Sequence, residues 1–281
     1  MKIAVTAASG QLGGAIVNAL VKEQGHENVV GLARTPANAR SLGVEIRPGD
    51  YEAADQLRVS LKGVDALLLV SGLEAPEKRI PQHRNVINAA RAAGVRKIVY
   101  TSIQGPDEGT AFSPVVQSNR QTEADIRDSG LDWVIGRNGI YIEPDVEYVE
   151  SYKARGEIVN SAGDARCGYT TRAELARAYA SLLTQTNLNG RTLNLHGEAI
   201  TQAQLAEYLN RTFDARLVYR EIPTAEFIAD RSAELGPFFG EIIGGIYEGI
   251  RQGAFDNPSD FELVFGRPHQ TWDDYFAGLR T

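Results

Sequence analysis

The sequence predicts an α/β fold built on a doubly wound parallel sheet with a smaller C-terminal α/β lobe. Three observations predict it. Short apolar runs alternate with helical patterns, the first run opens into a glycine-bearing turn, and the texture changes past residue 200. Runs that are apolar throughout suit strands covered on both faces. Strand–helix alternation gives parallel neighbours joined by right-handed crossovers.

The first strand is Ile3-Ala4-Val5. A helix follows, with Leu12, Ala15, Ile16, Ala19 and Leu20 on one stripe and Gly25 near its end. Residues 29–33 form the second strand, 44–46 a short third and 66–70 a strong fourth. A helix through 86–90 leads to the fifth strand at 97–100, and one near 123–128 to the sixth at 133–136. Between 156 and 195 we expect an added strand, a helix from Arg172 to Leu183 and a strand at 192–195. Thr201 can cap a helix carrying Leu205, Tyr208 and Leu209. A strand at 217–219 and Gly- and Phe-rich helical pieces over 225–253 complete the chain. Residues 1–155 are read as the main domain, and 156–281 as the remaining sheet elements and the small lobe.

The 281 residues carry a formal net charge of −7, which argues against nucleic acid or an anionic membrane as partner, since both need a basic surface. Cys167 is the only cysteine, so no intrachain disulfide forms. No signal-peptide pattern precedes the first strand and no apolar run is long enough for a bilayer, so a cytoplasmic location is expected.

The turn Thr6-Ala7-Ala8-Ser9-Gly10-Gln11-Leu12-Gly13 joins the first strand to the first helix. That is the context a dinucleotide fingerprint requires. Gly10 lets backbone amides approach a pyrophosphate, and Gly13 lets helix and sheet pack closely. The helix N-terminus offers free N–H groups to the anion, and Ser9 a hydroxyl. Ala7 stands where a glycine is usual, and a positive φ there would strain it. The second strand ends in Arg34 with no acid nearby, so a ribose 2′-phosphate is favoured over a 2′-hydroxyl. The expected cofactor is therefore NADP(H). Asp50 and Tyr51 follow the third strand, where side chains reach the adenine, and Val70, Ser71 and Gly72 end the fourth beside the cleft.

With the runs Ala33-Arg34-Thr35-Pro36 and Gly49-Asp50-Tyr51, residues 81–90, Tyr100-Thr101-Ser102 and Arg137-Asn138-Gly139-Ile140-Tyr141, the chain resembles the NmrA-like group of atypical short-chain dehydrogenase/reductases. Within it, the chain is similar to the branch of bacterial NADPH-dependent quinone oxidoreductases and triphenylmethane-dye reductases. The resemblance covers nearly the whole chain. It implies NADP(H) contacts from the turn, from Arg34 and from Val70, Ser71 and Gly72. It also implies that Asn138, Gly139 and Tyr141 lie near the nicotinamide, and Thr101, Ser102 and Asn119 are expected among the cofactor contacts. Related plant reductases carry a catalytic lysine at the position of Asn119. An amide cannot replace lysine as a proton donor.

No tyrosine has a lysine four residues on, because Tyr148 is followed by Tyr152 at that spacing and Lys153 is one residue too far. Reduction of an unactivated carbonyl is thereby disfavoured. A quinone or a cationic dye needs chiefly proximity and orientation. Asn138 and Tyr141 are candidates to orient the acceptor or the carboxamide, and His83 to supply a proton or bond a phosphate, against a reading of His83 as a capped surface histidine. Phe238, Phe239 and Tyr247 either line an apolar slot or pack the lobe. His26, His196 and His269 lie far apart in sequence, with no metal-ligand spacing. The leading expectation is NADPH-dependent hydride transfer to a quinone or similar aromatic acceptor. A non-catalytic NADP(H)-binding redox sensor is the alternative, and a sugar-nucleotide epimerase is disfavoured by the missing tyrosine–lysine pair. The expected partner is a small aromatic or quinone molecule, with a homodimer left open.

Overall fold

In chain order the elements are β1 (Ile3–Val5), α1 (Gln11–Gln24), β2 (Val29–Ala33), β3 (Glu45–Pro48), α2 (Ala54–Ser60), β4 (Ala66–Val70), α3 (Pro76–Ala93) and β5 (Lys97–Ile103). They continue with α4 (Ser113–Arg127), β6 (Asp132–Asn138), β7 (Ile140–Tyr141), α5 (Glu143–Glu147), α6 (Val149–Arg155), β8 (Glu157–Asn160), β9 (Cys167–Thr170) and α7 (Arg172–Thr184). The last are β10 (Arg191–Leu195), β11 (Ala199–Ile200), α8 (Gln202–Phe213), β12 (Val218–Glu221), α9 (Thr224–Leu235), α10 (Pro237–Arg251), α11 (Phe261–Phe265) and α12 (Trp272–Gly278). This computed structural model describes residues 1–280.

Seven strands form one sheet in the order β10-β6-β5-β4-β1-β2-β3, every neighbouring pair parallel. The alternation of side chains along each strand splits the apolar residues between two faces. Ile3, Val5, Leu68, Val99 and Val134 pack under α1 and α7 with Ile16, Leu20, Leu175 and Tyr179. Ala4, Leu67, Leu69, Ile98 and Ile135 pack on the other face with Leu57, Val86, Ala90 and Ile126. The order reverses between β1 and β4, and such a switch point opens a crevice at the carboxyl ends of the strands.

Beyond β6 the chain builds two small sheets, β11-β9-β7 and β12-β8. Their cluster includes Tyr169, Leu205, Phe255, Trp272 and Phe276, and it buries Cys167 on β9 completely. Thr201 caps α8 through a full capping box with Gln204. Between 156 and 195 two strands, β8 and β9, stand where one was expected. The third strand starts at Glu45 instead of Val44, because the turn of 36–42 closes on Gly43 at φ +68°. Strand β10, from beyond residue 155, joins the main sheet beside β6. Among the described residues no helix is long and apolar enough to cross a membrane.

Candidate active site

The turn after β1 has the backbone geometry that an anion cradle needs. Ala7 adopts φ +48°, one of two non-glycine residues with positive φ among those described. An alanine pays about 1–2 kcal/mol for that conformation. In return the Ala7 carbonyl accepts the Gly10 N–H at 2.9 Å, while the Ala8 N–H donates to the Leu32 carbonyl at 2.9 Å and anchors the turn to β2. Gly10 is the N-cap of α1 and supplies no side-chain cap. The amides of Gln11, Leu12 and Gly13 therefore lack intrahelical acceptors and sit at the positive end of the helix. A Cβ on Gly13 would lie 2.3 Å from the Ala7 carbonyl oxygen, so this close approach admits only glycine. The cradle fits a pyrophosphate. Ser9 is exposed beside it.

The strand ends beneath the turn are tied by side chains. Thr6 Oγ1 accepts the Val70 N–H at 2.9 Å. The Tyr51 hydroxyl sits 2.5 Å from Thr6 Oγ1 and 2.8 Å from the Val70 carbonyl oxygen. Burial raises the pKa of that phenol. Its hydroxyl thus braces β1 against β4, a role beyond the expected adenine contact. Asp50 accepts the Glu52 N–H through Oδ1 at 3.0 Å. Arg34 is exposed at the end of β2, and among the described residues its side chain makes no hydrogen bond or ion pair. A free guanidinium there can take a phosphate by a bidentate contact. Arg34→Ala should raise the KM for NADPH about tenfold or more relative to that for NADH, as read from paired steady-state assays.

His83 departs from expectation. It is fully buried on α3, edge-on to Tyr51 and Tyr100. Its Nε2 accepts the Gly72 N–H at 3.0 Å, and its Nδ1 lies 2.9 Å from Thr122 Oγ1. Thr122 gives its own proton to the Ser118 carbonyl, so Nδ1 carries the ring proton. Burial, and then the charge of Arg79, hold the imidazole down to a pKa of about 3. A neutral ring with both nitrogens engaged and no exposed surface is neither a proton donor nor a capped surface histidine. It positions Gly72.

Ser71 lies above β5. Its N–H donates to Thr101 Oγ1 at 2.9 Å and its hydroxyl to Asn119 Oδ1 at 3.1 Å. The Tyr100 hydroxyl donates to the same Oδ1 at 2.6 Å, and Asn119 Nδ2 donates to the Val115 carbonyl. Asn119, where a lysine would act as acid, is thus a buried, neutral anchor. Asn138 Oδ1 accepts from the Tyr179 hydroxyl on α7 at 2.6 Å, a partner sequence reasoning missed because Tyr179 lies in an apolar helical stripe. Tyr141 is half-buried with the Arg172 guanidinium 5.1 Å over its ring. Burial raises its phenol pKa, and a hydrogen bond with Asn138 opposes the rise. Gly139 lets β9 approach, since a Cβ there would stand 2.1 Å from the Gly168 carbonyl oxygen.

Ser102 also departs from expectation. Its hydroxyl donates to Glu123 Oε1 at 2.7 Å, inside a buried cluster. Glu123 is ion-paired with Arg120, Arg127 and Arg137. The helical spacings to Arg120 and Arg127 were visible in the sequence, but Arg137 comes from another element. The aromatic slot is not assembled either. Phe238 and Phe239 stand exposed in an edge-on pair, while Tyr247 turns inward against Phe227.

A buried acid on α5 was also missed. Asp145, on α5, is 5% exposed and accepts from the Tyr152 hydroxyl at 2.8 Å. Burial raises its carboxyl from about 3.8 to about 6. The folded state favours the neutral acid, so this contribution is complete below the unfolded value and is lost as pH rises through about 6. Asp145→Asn should stabilise the protein by up to about 3 kcal/mol at pH 8, a gap that closes near pH 4 in paired urea titrations.

A pyrophosphate cradle at the switch point of a doubly wound parallel sheet defines a nicotinamide-dinucleotide protein. The family model described as NAD(P)H-binding matches residues 7–186, and the chain belongs to that NmrA-like family. It is 34% identical over 275 residues to quinone oxidoreductase 2 of Escherichia coli, covering 96% of this chain and 95% of the relative. The structure of the E. coli NADPH-dependent quinone oxidoreductase with NADPH superposes with a TM-score of 0.91 at 32% identity, covering 99% of this chain and 100% of that one. The triphenylmethane reductase of Citrobacter sp. with NADP(H) gives a TM-score of 0.91 at 31% identity, with 99% and 100% covered.

Proposed function

We propose that the protein is an NADPH-dependent oxidoreductase that passes hydride to a quinone or a similar electrophilic aromatic acceptor. The observation that carries this reading is Asn119. Where related plant reductases carry a catalytic lysine stands a buried amide whose oxygen is taken by Tyr100 and Ser71. The acceptor must then be electrophilic enough to need no strong acid from the protein, and its proton can come from water. Bound NADPH supplies the hydride. The chain's part is to bind and orient. The amides of Gln11, Leu12 and Gly13 hold the pyrophosphate and Arg34 the 2′-phosphate. Thr101 fixes Ser71, His83 fixes Gly72, and Asn138 and Tyr141 orient the carboxamide or the acceptor. The names of the relatives at 31–34% identity support the same chemistry.

NADPH absorbance, followed with neutral quinones and cationic triphenylmethane dyes, tests it. Turnover is the expected result. Tight NADPH binding with no turnover on any acceptor would overturn the reading and favour a redox sensor. We also place the protein in the cytoplasm, where its lone buried thiol needs no partner. Sedimentation tests a homodimer.

A further inference from the structure

We propose that a cleft at the carboxyl ends of β5, β6 and β10 binds an oxyanion, a carboxylate or phosphate carried by the electron acceptor, on Arg120, Arg137 and Gln104. That the anion belongs to the acceptor rests on the reductase reading; the anion site itself does not.

The cleft has a volume of about 320 Å³, and its wall includes Gln104, Asp107, Arg120, Arg137, Asn194 and Asn257. Gln104 is 2% exposed, and its Nε2 is buried without a partner. Its orientation is fixed by a chain of bonds. Asn257 Nδ2 donates to the Ala254 carbonyl at 3.0 Å, an obligate acceptor, and to Gln104 Oε1 at 2.8 Å. The Gln104 amide group is therefore left with its donors unused. A buried donor without a partner destabilises the site, and an incoming acceptor would relieve that.

Two guanidiniums share the wall. Arg120 uses Nε on Asp107 at 3.0 Å, and Nη1 on the Ile103 carbonyl at 2.9 Å and Glu123 at 3.0 Å. Arg137 uses Nε and Nη2 on Glu123, at 2.9 and 2.7 Å. Among the described residues Arg120 Nη2 and Arg137 Nη1 make no hydrogen bond. Buried Glu123 thus holds both forks rigid and leaves one nitrogen of each free. The charges do not cancel: Arg120, Arg127 and Arg137 face Glu123 and Asp107, three positive groups against two negative, in a chain of net charge −7. Asp107 is the only acid on the wall, and its side chain is 68% exposed and already bonded to Arg120. Guanidinium forks match carboxylate and phosphate oxygens.

The cleft adjoins the strand ends assigned to the nicotinamide. The Gln104 N–H donates to the Asn138 carbonyl at 3.0 Å, and Arg137 immediately precedes Asn138. An anionic group held here would anchor a ring system near the cofactor's reactive end.

Calorimetry on the full chain with NADPH tests the site, using three non-reducible probes: 1-naphthoate, 1-naphthyl phosphate and neutral 1-naphthamide. At least one anion should bind tenfold or more tighter than the amide, and the tighter of the two identifies the group. Gln104→Glu should cut that preference at least tenfold. Gln104→Leu, which fills the space without donors, should also lower it. Equal affinity for anions and amide, or a preference unchanged in both variants, would overturn the proposal. Turnover of a neutral quinone by the unaltered chain is followed in parallel. Its absence would count against the reductase reading, whereas loss of the anion preference counts against the cleft.

Discussion

Gly13→Val is expected to raise the Kd for NADPH a hundredfold or more, about 2.7 kcal/mol of binding. The reason is local and steric. The first added carbon would stand 2.3 Å from the Ala7 carbonyl oxygen and 2.9 Å from its carbon, both backbone atoms that cannot rotate away. The turn must shift, and the amides of Gln11, Leu12 and Gly13 shift with it. The same clash should cost about 1–3 kcal/mol of stability. Calorimetry and thermal melting separate the two effects. Gly10 sets the scale, because a Cβ there would stand 3.2 Å from the same oxygen, so Gly10→Ala should weaken binding far less. An unchanged Kd in Gly13→Val would mean that the pyrophosphate rests elsewhere.

Glu123→Leu is expected to lower stability by about 3 kcal/mol at pH 7, measured as the shift in urea midpoint. Glu123 is fully buried, and it accepts from Ser102 and from three arginines. Removing the shared carboxylate leaves those guanidiniums facing one another. Breaking a buried pair costs about 3–5 kcal/mol, and the lower end applies because the arginine side chains are 19–38% exposed. Burial alone would raise the Glu123 pKa, but bonds from Arg137 and Ser102 and the charge of Arg120 bring it below the usual range. A lowered carboxyl pKa contributes stability that is present above the unfolded value and lost as pH falls through the folded one. The gap between the two proteins should therefore narrow in acid.

The central strands β1, β2 and β4 were legible because each is short, apolar on both faces and punctuated by polar turns. Ile3-Ala4-Val5 and 66–70 needed no more than that. The glycine turn after β1 was legible for a similar reason, since its parts are consecutive, and the strain anticipated at Ala7 is visible in its φ of +48°. Pairings across long sequence separations were not legible. Tyr179 reaches Asn138 from 41 residues away, and Asn257 reaches Gln104 from 153. His83 misled because a histidine beside an arginine on a polar stretch of helix reads as surface. Only the crossing of α3 over β4 and α4 buries it. In the sheet β11-β9-β7 the strands β7 and β11 are two residues each, too short to leave a pattern.

The isolation of Cys167 has a use. Its sulfur is sealed within β9, and burial pushes the thiol pKa well up, so a maleimide or disulfide reagent finds no thiolate in the closed protein. Labelling can then proceed only as fast as the lobe breathes. The modification rate is a clock for that opening, and its slowing on addition of nucleotide would measure how strongly binding is coupled to it.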